Sequence, residues 1–236
     1  MSEPKPAGKR LFVGVRVSVQ TANALAAAAE TLQRRARDAS VDIKWVAPVN
    51  YHATLKFLGF TRDDAIGAVR DALDGALVGA QPVKFRTARL GAFPSLEKAS
   101  VLWAGVDHNA LDDLAARVEK AMTGIGFAAE TRAFHGHVTL GRLRETRPLR
   151  DVVLPLSEQM FSDTRIDGVT LFESETKSSG SVYRDVCRIP FKTAADRGSD
   201  AEKRQTGAVE LGDETQTDTD DGWDPRLGGT ATRGSF

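Results

Sequence analysis

Apolar and polar residues alternate along residues 11–17, where Leu11 and Val13 fall on one side and Phe12 and Gly14 on the other. Alternation of this kind predicts a strand with one buried face. Residues 21–38 instead repeat small apolar residues at helical spacing, which predicts a helix lying on a sheet. The same reasoning predicts further strands at 52–59, 83–90, 100–106, 134–142, 165–173 and 182–190, and further helices at 61–77, 109–122 and 149–160.

The order strand, helix, strand occurs twice, and each time the second strand carries the sequence His-x-Thr-Leu. The first copy contains His52 and Thr54, and the second contains His137 and Thr139. Because side chains of a strand alternate between its faces, the His and Thr of each copy share one face. Two such strands facing each other would bring together two imidazoles and two hydroxyls. The repeat predicts two copies of one structural unit with a common site.

Two histidines in matching positions are poorly explained by core packing, which would favour apolar side chains there. A neutral imidazole can take a proton from water, while an imidazolium can give one to a leaving oxygen, and hydroxyls can bond phosphate oxygens. The pattern therefore favours phosphodiester cleavage with a bell-shaped pH–rate profile and no response to chelators. His135 shares a face with His137 and could pair with it on a metal, but no third ligand is evident from the spacing, and we interpret His135 as a rim residue.

Arg142 lies five residues after His137, so strict alternation would direct it away from Thr139. A contact between Arg142 and the phosphate requires a β-bulge or the end of the strand at Gly141. The alternative is an ordinary surface arginine.

Composition separates a body from a tail. Of the 236 residues, those from 196 to the end carry ten acidic and five basic side chains, which leaves the rest of the chain with a charge of +5. We expect residues 1–192 to form the folded domain and the acidic residues 193–236 to be disordered. A single cysteine, Cys187, excludes an intrachain disulfide. The absence of a signal peptide and of a membrane-spanning stretch in the sequence predicts a cytoplasmic protein.

Four blocks of sequence carry a family resemblance. His52-Ala53-Thr54-Leu55 and His137-Val138-Thr139-Leu140, with Arg142, resemble the two-histidine (2H) phosphoesterase superfamily. Residues 10–13, Lys44-Trp45-Val46 and the extended blocks 52–59 and 136–142 look more closely like the bacterial and archaeal RNA 2′,3′-cyclic phosphodiesterases, first described as 2′-5′ RNA ligases (LigT/ThpR type). Family members often have proline before the second histidine, where this chain has Gly136.

The resemblance implies an α+β fold that is bilobal, with two antiparallel sheets related by a pseudo-twofold, helices on the outside and the active site in the cleft between the lobes. The implied substrate is an RNA end carrying a 2′,3′-cyclic phosphate, hydrolysed to a 2′-phosphomonoester without metal or cofactor by a monomer that does not bind membranes. His52 would be the proton donor and His137 the proton acceptor, and Thr54, Thr139 and Arg142 would bind the substrate. Two alternatives remain open, namely 2′-5′ RNA ligation and non-catalytic binding of RNA ends.

Overall fold

A computed structural model describes residues 7–107, 110–177 and 180–192. The acidic tail predicted for residues 193–236 and His108 lie outside these ranges, so the domain boundary at residue 192 stays a prediction. The strands are β1 (Gly8–Arg16), β2 (Lys44–Trp45), β3 (His52–Arg62), β4 (Val83–Phe93), β5 (Ala99–Val106), β6 (His137–Arg147), β7 (Met160–Ile166), β8 (Gly168–Lys177) and β9 (Gly180–Pro190). The helices are α1 (Val19–Asp38), α2 (Ile66–Ala76), α3 (Asp112–Gly124) and the short α4 (Arg150–Val153).

The strands form one antiparallel sheet in the order β7-β4-β5-β6-β3-β1-β8-β9, with β2 added beside β6. Its two halves meet where β3 pairs with β6, and that pairing consists of Ala53 opposite Val138. The predicted α+β fold with antiparallel strands is confirmed. The prediction of two separate sheets is wrong in one respect, because this single pair makes the hydrogen-bonded ladder continuous.

One hydrophobic cluster lies mainly on each half of the sheet, and the helices cross over to cover them. Leu25 and Leu32 of α1, which follows β1, pack on β4, β5 and β6. Leu114 and Val118 of α3, which follows β5, pack with α2 on β1, β3 and β8. The N-terminus of α1 is also held to the far edge of the sheet, because the Ser18 backbone N–H donates to Thr164 Oγ1 of β7 at 3.0 Å. The two halves therefore stabilise each other.

Two predicted helices differ from the structure. The sequence predicts a helix that begins at residue 61, but in the structure Thr61 is buried in β3. A 3₁₀ turn (Asp63–Ala65) follows, and α2 begins at Ile66. The helix predicted at 149–160 ends at Val153, because Pro155 cannot continue the α-helical hydrogen bonding. The strand predicted at 165–173 is two strands, β7 and β8. Within the described ranges, none of the helices is both long enough and apolar enough to cross a membrane.

Candidate active site

The two histidines of the repeated motif each occupy the first position of a strand, His52 in β3 and His137 in β6. They directly precede Ala53 and Val138, the pair that joins the two halves of the sheet. The structure therefore brings the two motifs together as predicted, side by side at the seam. The positive charge of a protonated His137 contributes to lowering the pKa of His52.

Both imidazoles are oriented by the same hydrogen bond. His52 Nδ1 lies 2.7 Å from the carbonyl oxygen of Asn50, and His137 Nδ1 lies 2.7 Å from the carbonyl oxygen of His135. A carbonyl can only accept, so each Nδ1 carries a proton and each neutral ring has its lone pair on Nε2. In His52 this nitrogen lies 3.2 Å from the hydroxyl oxygen of Thr54. The two Nε2 atoms are thus the nitrogens available for proton transfer.

Aromatic side chains surround His52. Its ring centroid is 4.8 Å from that of Phe12 and 4.9 Å from that of Tyr183, which meets it edge-on. Burial among these rings lowers the pKa of His52 to about 4, since the charged form loses hydration. The nearby charges of Arg16, His137 and Arg142 lower this pKa further, against the hydrogen bond to Asn50, which raises it. His52 is therefore neutral at neutral pH in the free protein.

His137 has a corresponding aromatic environment built from the other half of the sheet. Its ring lies 5.0 Å from Phe93, edge-on, and 6.4 Å from Trp103. Burial lowers the pKa of His137, and charges on His135 and Arg142 add to this, while the hydrogen bond to the His135 carbonyl opposes it. Both imidazoles therefore favour the neutral state in the free protein.

A β-bulge places Arg142 on the histidine face. In the pairing of β5 with β6, Trp103 faces Thr139 but the next pair is Leu102 with Gly141, so β6 has one extra residue at this point. The extra residue reverses the alternation, and Arg142 returns to the side of His137 and Thr139. Its charge lowers the pKa of both histidines. A contact between Arg142 and the phosphate required a β-bulge, and this bulge is present.

Glycine is required inside this bulge because β2 passes close to it. A methyl group at Gly141 would lie 2.5 Å from Ile43 Cγ2, which is far inside van der Waals contact. Trp45 and Lys44 of β2 pair with Gly141 and Arg142. The Lys44-Trp45 block of the sequence resemblance therefore supports the bulged part of β6.

Phe57 is a candidate site residue that the sequence reasoning missed. In the pairing of β1 with β3, Gly14 faces Thr54 but the next pair is Val13 with Lys56, so β3 bulges at the same point after its histidine as β6 does. Phe57 then occupies the position that Arg142 holds in the second copy. Its side chain is 65% exposed. The signal was available, since each residue is the fifth after its histidine.

His135 contributes mainly through its backbone carbonyl, which orients His137. Its exposed ring lies at the edge of the site, 5.2 Å from Trp103 and 6.3 Å from His137. Within the described ranges, no cluster of three or more His, Cys, Asp or Glu side chains is arranged to hold a metal ion. The position of the ring agrees with the predicted rim residue.

The assembled groups can transfer protons at two points and hold an anion between them. The two imidazoles lie on neighbouring strands with Nε2 unprotonated in the neutral rings, and strand alternation places the hydroxyls of Thr54 and Thr139 on the same face. Arg142 adds a permanent positive charge, and the carbonyl bonds prevent the rings from turning over. Such an arrangement suits in-line displacement at phosphorus, where one group removes a proton and another supplies one.

Comparison with known proteins finds a matching family and similar sequences. The family described as "LigT like Phosphoesterase" matches residues 19–103 and 105–183. The RNA 2′,3′-cyclic phosphodiesterase of Aeropyrum pernix is 29% identical over 154 residues, which are 63% of this chain and 86% of the relative. The protein of the same name from Aquifex aeolicus is 28% identical over 180 residues, which are 74% of this chain and 93% of the relative.

Solved structures share the fold. A crystal structure of a Thermus thermophilus protein superimposes with a TM-score of 0.67 at 21% identity, covering 78% of this chain and 99% of that one. Escherichia coli LigT complexed with 3′-AMP gives a TM-score of 0.58 at 20% identity, covering 78% of this chain and 98% of that one.

Proposed function

Because this chain belongs to the LigT-like phosphoesterase family, we propose that it hydrolyses RNA ends bearing a 2′,3′-cyclic phosphate to 2′-phosphomonoesters. The reaction uses the two histidines as acid and base and needs no metal. The observation that carries the proposal is the matched orientation of the two rings, whose Nδ1 atoms are held by the carbonyls of Asn50 and His135. The names of the similar Aeropyrum and Aquifex proteins supply the substrate class.

In the proposed reaction, His137 Nε2 takes a proton from water as the water oxygen attacks phosphorus. The bond between phosphorus and the ribose 3′ oxygen breaks, and protonated His52 Nε2 gives its proton to that oxygen. The product carries a 2′-phosphate and a free 3′-hydroxyl. His52 is thus the proton donor and His137 the proton acceptor.

Thr54, Thr139 and Arg142 are the proposed substrate-binding residues. The threonine hydroxyls donate to the non-bridging phosphate oxygens, and Arg142 offsets their charge through its planar guanidinium. Phe57 extends this set, because an exposed aromatic ring beside the phosphate site offers a surface on which a base can stack. Phosphate and base would then be recognised by residues in matching positions of the two copies.

The pKa of His52 in the free protein bears on its role as donor. A value of about 4 leaves His52 largely unprotonated at neutral pH. A bound phosphodiester anion raises the pKa of an adjacent imidazole, because opposite charge favours the protonated form. The donor is therefore charged as the substrate binds, and the cations that lower its pKa in the empty site are offset by the phosphate.

We also infer that the two halves of the fold are related by a pseudo-twofold, with the active site in the cleft between them. The strand order reads β6-β5-β4-β7 outward on one side of the seam and β3-β1-β8-β9 on the other. The bulges of β3 and β6, at the same distance from their histidines, support this relation. The cleft then lies along the seam.

The test is incubation of the protein with an oligoribonucleotide ending in a 2′,3′-cyclic phosphate, in the presence of EDTA. We expect complete conversion, with ³¹P NMR identifying a 2′-phosphate. His52→Ala and His137→Ala should each lower kcat by about 10² to 10⁴-fold, the usual contribution of a positioned acid or base. His108→Ala, which removes a histidine outside both motifs, is the control. No conversion by the wild-type protein would overturn the proposal.

Addition of a second RNA tests the ligase alternative, and the histidine variants test the non-catalytic binding alternative. In ligation, the 5′-hydroxyl of a second RNA replaces water as the nucleophile on the cyclic phosphate and the bond to the 3′ oxygen breaks, so a 2′-5′-linked product would appear when that RNA is added. A non-catalytic RNA-end binding module would show binding that weakens in His52→Ala without turnover in any variant.

A further inference from the structure

A cavity of about 370 Å³ opens beside His135. Its walls come from β4, β5, the segment that leads into β6, and the turn before β7, and they include Arg89, Trp103, Asp107, His135 and Glu158. In the strand order, β5 and β4 lie on the side of β6 that faces away from β3. The cavity thus lies on the His137 flank of the seam.

The cavity adjoins the proposed acceptor without containing it. Trp103 and Gly105 line it, and in the sheet they pair with Thr139 and His137. The ring of His135, which also lines the cavity, is 6.3 Å from that of His137. None of the five proposed catalytic and substrate-binding residues is among the lining residues. A molecule bound here would touch the phosphate site from one side.

The chemistry of the walls suits a nucleoside better than a second phosphate. Asp107 and Glu158 would repel an anion, whereas Arg89 and His135 can donate hydrogen bonds. Trp103 adds an aromatic wall. Donors and acceptors beside an aromatic surface are what the edges and faces of an unpaired base require. The volume lies within the roughly 300–1,000 Å³ of ordinary ligand pockets.

The backbone of Arg89, in the wall of the cavity, adopts an energetically unfavourable conformation. Its φ of 60° lies in the left-handed region, at a point where the pairing of β4 with β5 shifts register between Ala88 and Leu90. The backbone N–H of Arg89 donates to Gln159 O and that of Leu90 donates to Ser157 O, both at 2.8 Å. A left-handed residue other than glycine is unfavourable and is found preferentially at functional sites. These bonds fix the bulge against the turn before β7.

We propose that this cavity is a subsite for the nucleoside on the 5′ side of the nucleotide that carries the cyclic phosphate. The inference rests on the proposed function. A cyclic phosphate occupies both the 2′ and 3′ oxygens, so the RNA chain can continue from the terminal nucleotide only through its 5′ oxygen. Phe57 offers a surface for the terminal base on the β3 flank, and the cavity offers space for its neighbour on the β6 flank. The protein then prefers oligonucleotides to mononucleotides.

The experiment compares a mononucleoside 2′,3′-cyclic phosphate with a dinucleotide that ends in the same group. In the wild-type protein, kcat/KM should be about tenfold higher for the dinucleotide. Arg89→Gly and Glu158→Gln should each reduce this preference severalfold and leave kcat/KM for the mononucleotide within about twofold. Glycine accepts the left-handed conformation at position 89, so that variant keeps the fold. Glu145→Gln, at an exposed position of β6 outside the cavity, is the matched control and should keep the full preference.

Equal values for the two substrates in the wild-type protein, or an unchanged preference in both cavity variants, would overturn the subsite. Failure of the proposed function gives a different result, namely no turnover of either substrate. In that case the subsite is judged by calorimetric titration with the corresponding 2′-phosphorylated mononucleotide and dinucleotide. About tenfold tighter binding of the dinucleotide, lost in Arg89→Gly, supports it, and equal binding rejects it.

Discussion

At the scale of single residues, the proposed mechanism depends on what lies two positions before each histidine. The carbonyls of Asn50 and His135 decide which nitrogen of His52 and His137 faces the substrate. Neither carbonyl can be replaced by a side-chain substitution, since both belong to the backbone. The reactivity of the site is therefore set partly by the course of the chain that enters each strand.

The pH dependence of the reaction should differ between free and substrate-bound protein. Burial lowers the pKa of both histidines in the free protein, so we expect the bell-shaped profile of kcat/KM to be centred below pH 6.5. Bound phosphate raises both pKa values, so the profile of kcat should lie at higher pH. Initial rates measured from pH 4 to 9 at low and at saturating substrate give the two profiles. Coincident profiles centred above pH 7 would contradict the electrostatic picture.

Phe57 should act on binding rather than on proton transfer. Stacking on an aromatic ring contributes about 1 to 3 kcal/mol per base, so Phe57→Ala should lower kcat/KM by about tenfold or more, mainly through KM, without moving the pH profile. Phe57→Tyr should restore activity.

Phe60→Ala is the matched control for Phe57→Ala, because Phe60 is also exposed on β3 but lies toward the end of the strand that pairs with Gly8 and Arg10. Equal effects of the two alanine substitutions would show that Phe57 has no particular role.

At the scale of elements, the two bulges decide which side chains reach the site. Sequence reasoning located both His-x-Thr strands, because alternation is a local property that needs no knowledge of the partner strand. It could state that Arg142 needed a bulge, but it could not predict that the bulge is present, since a bulge depends on the register of β5 against β6. Phe57 was overlooked for the same reason. Pro155 in the sequence indicates where the helix predicted at 149–160 ends, because proline cannot continue the helix.

Gly141→Ala tests the bulge of β6. The added methyl group would meet Ile43, which is buried, so either β2 or the bulge must move. We expect a loss of about 1 to 3 kcal/mol in the free energy of unfolding, together with a drop in kcat/KM as Arg142 is displaced. Urea unfolding and initial rates measure the two effects.

Gly75→Ala in α2 is the control for this substitution, because a methyl group there has no atom within 4 Å. It should raise the free energy of unfolding by about 0.5 to 1 kcal/mol and leave activity unchanged. A Gly141→Ala protein with the stability and activity of the wild type would show that the bulge tolerates a side chain.

At the scale of the whole molecule, the halves are interlocked by helices that cover the opposite half of the sheet. Helical spacing predicts an apolar face for α1 and α3, but it does not say against which strands that face will pack, and the crossover was not foreseen. A buried ion pair adds to the interlock. Lys56 of β3 lies 2.7 Å from Glu119 of α3 and 2.9 Å from the carbonyl oxygen of Ala128. Glu119 also accepts from the backbone N–H of Glu130.

The two members of this ion pair should not be equally sensitive to substitution. The side chain of Lys56 is 3% exposed and that of Glu119 is 31% exposed. Glu119→Leu leaves a buried ammonium without its partner and should cost about 3 to 5 kcal/mol. Lys56→Met leaves a carboxylate that water can reach and should cost less. The free energy of unfolding, measured in urea for both single variants, tests this order.

The double variant Lys56→Met/Glu119→Leu supplies the control. It should be more stable than Glu119→Leu alone, since no buried charge remains. Additive losses in the double variant would mean that the two side chains contribute independently.

The carbonyl bonds at Nδ1 have a consequence for what happens between turnovers. A ring whose Nδ1 proton is held by a carbonyl cannot pass a proton through itself, so in the proposed reaction His137 releases the proton taken from water at the same nitrogen that received it. After each turnover His52 is deprotonated and His137 is protonated, which is the reverse of the starting state. In this protonation state the two histidines can catalyse only the back reaction. Forward hydrolysis resumes after His137 Nε2 has lost its proton and His52 Nε2 has gained one. If the active site lies in the proposed cleft along the seam, departure of the product and recovery of the starting protonation state share one route.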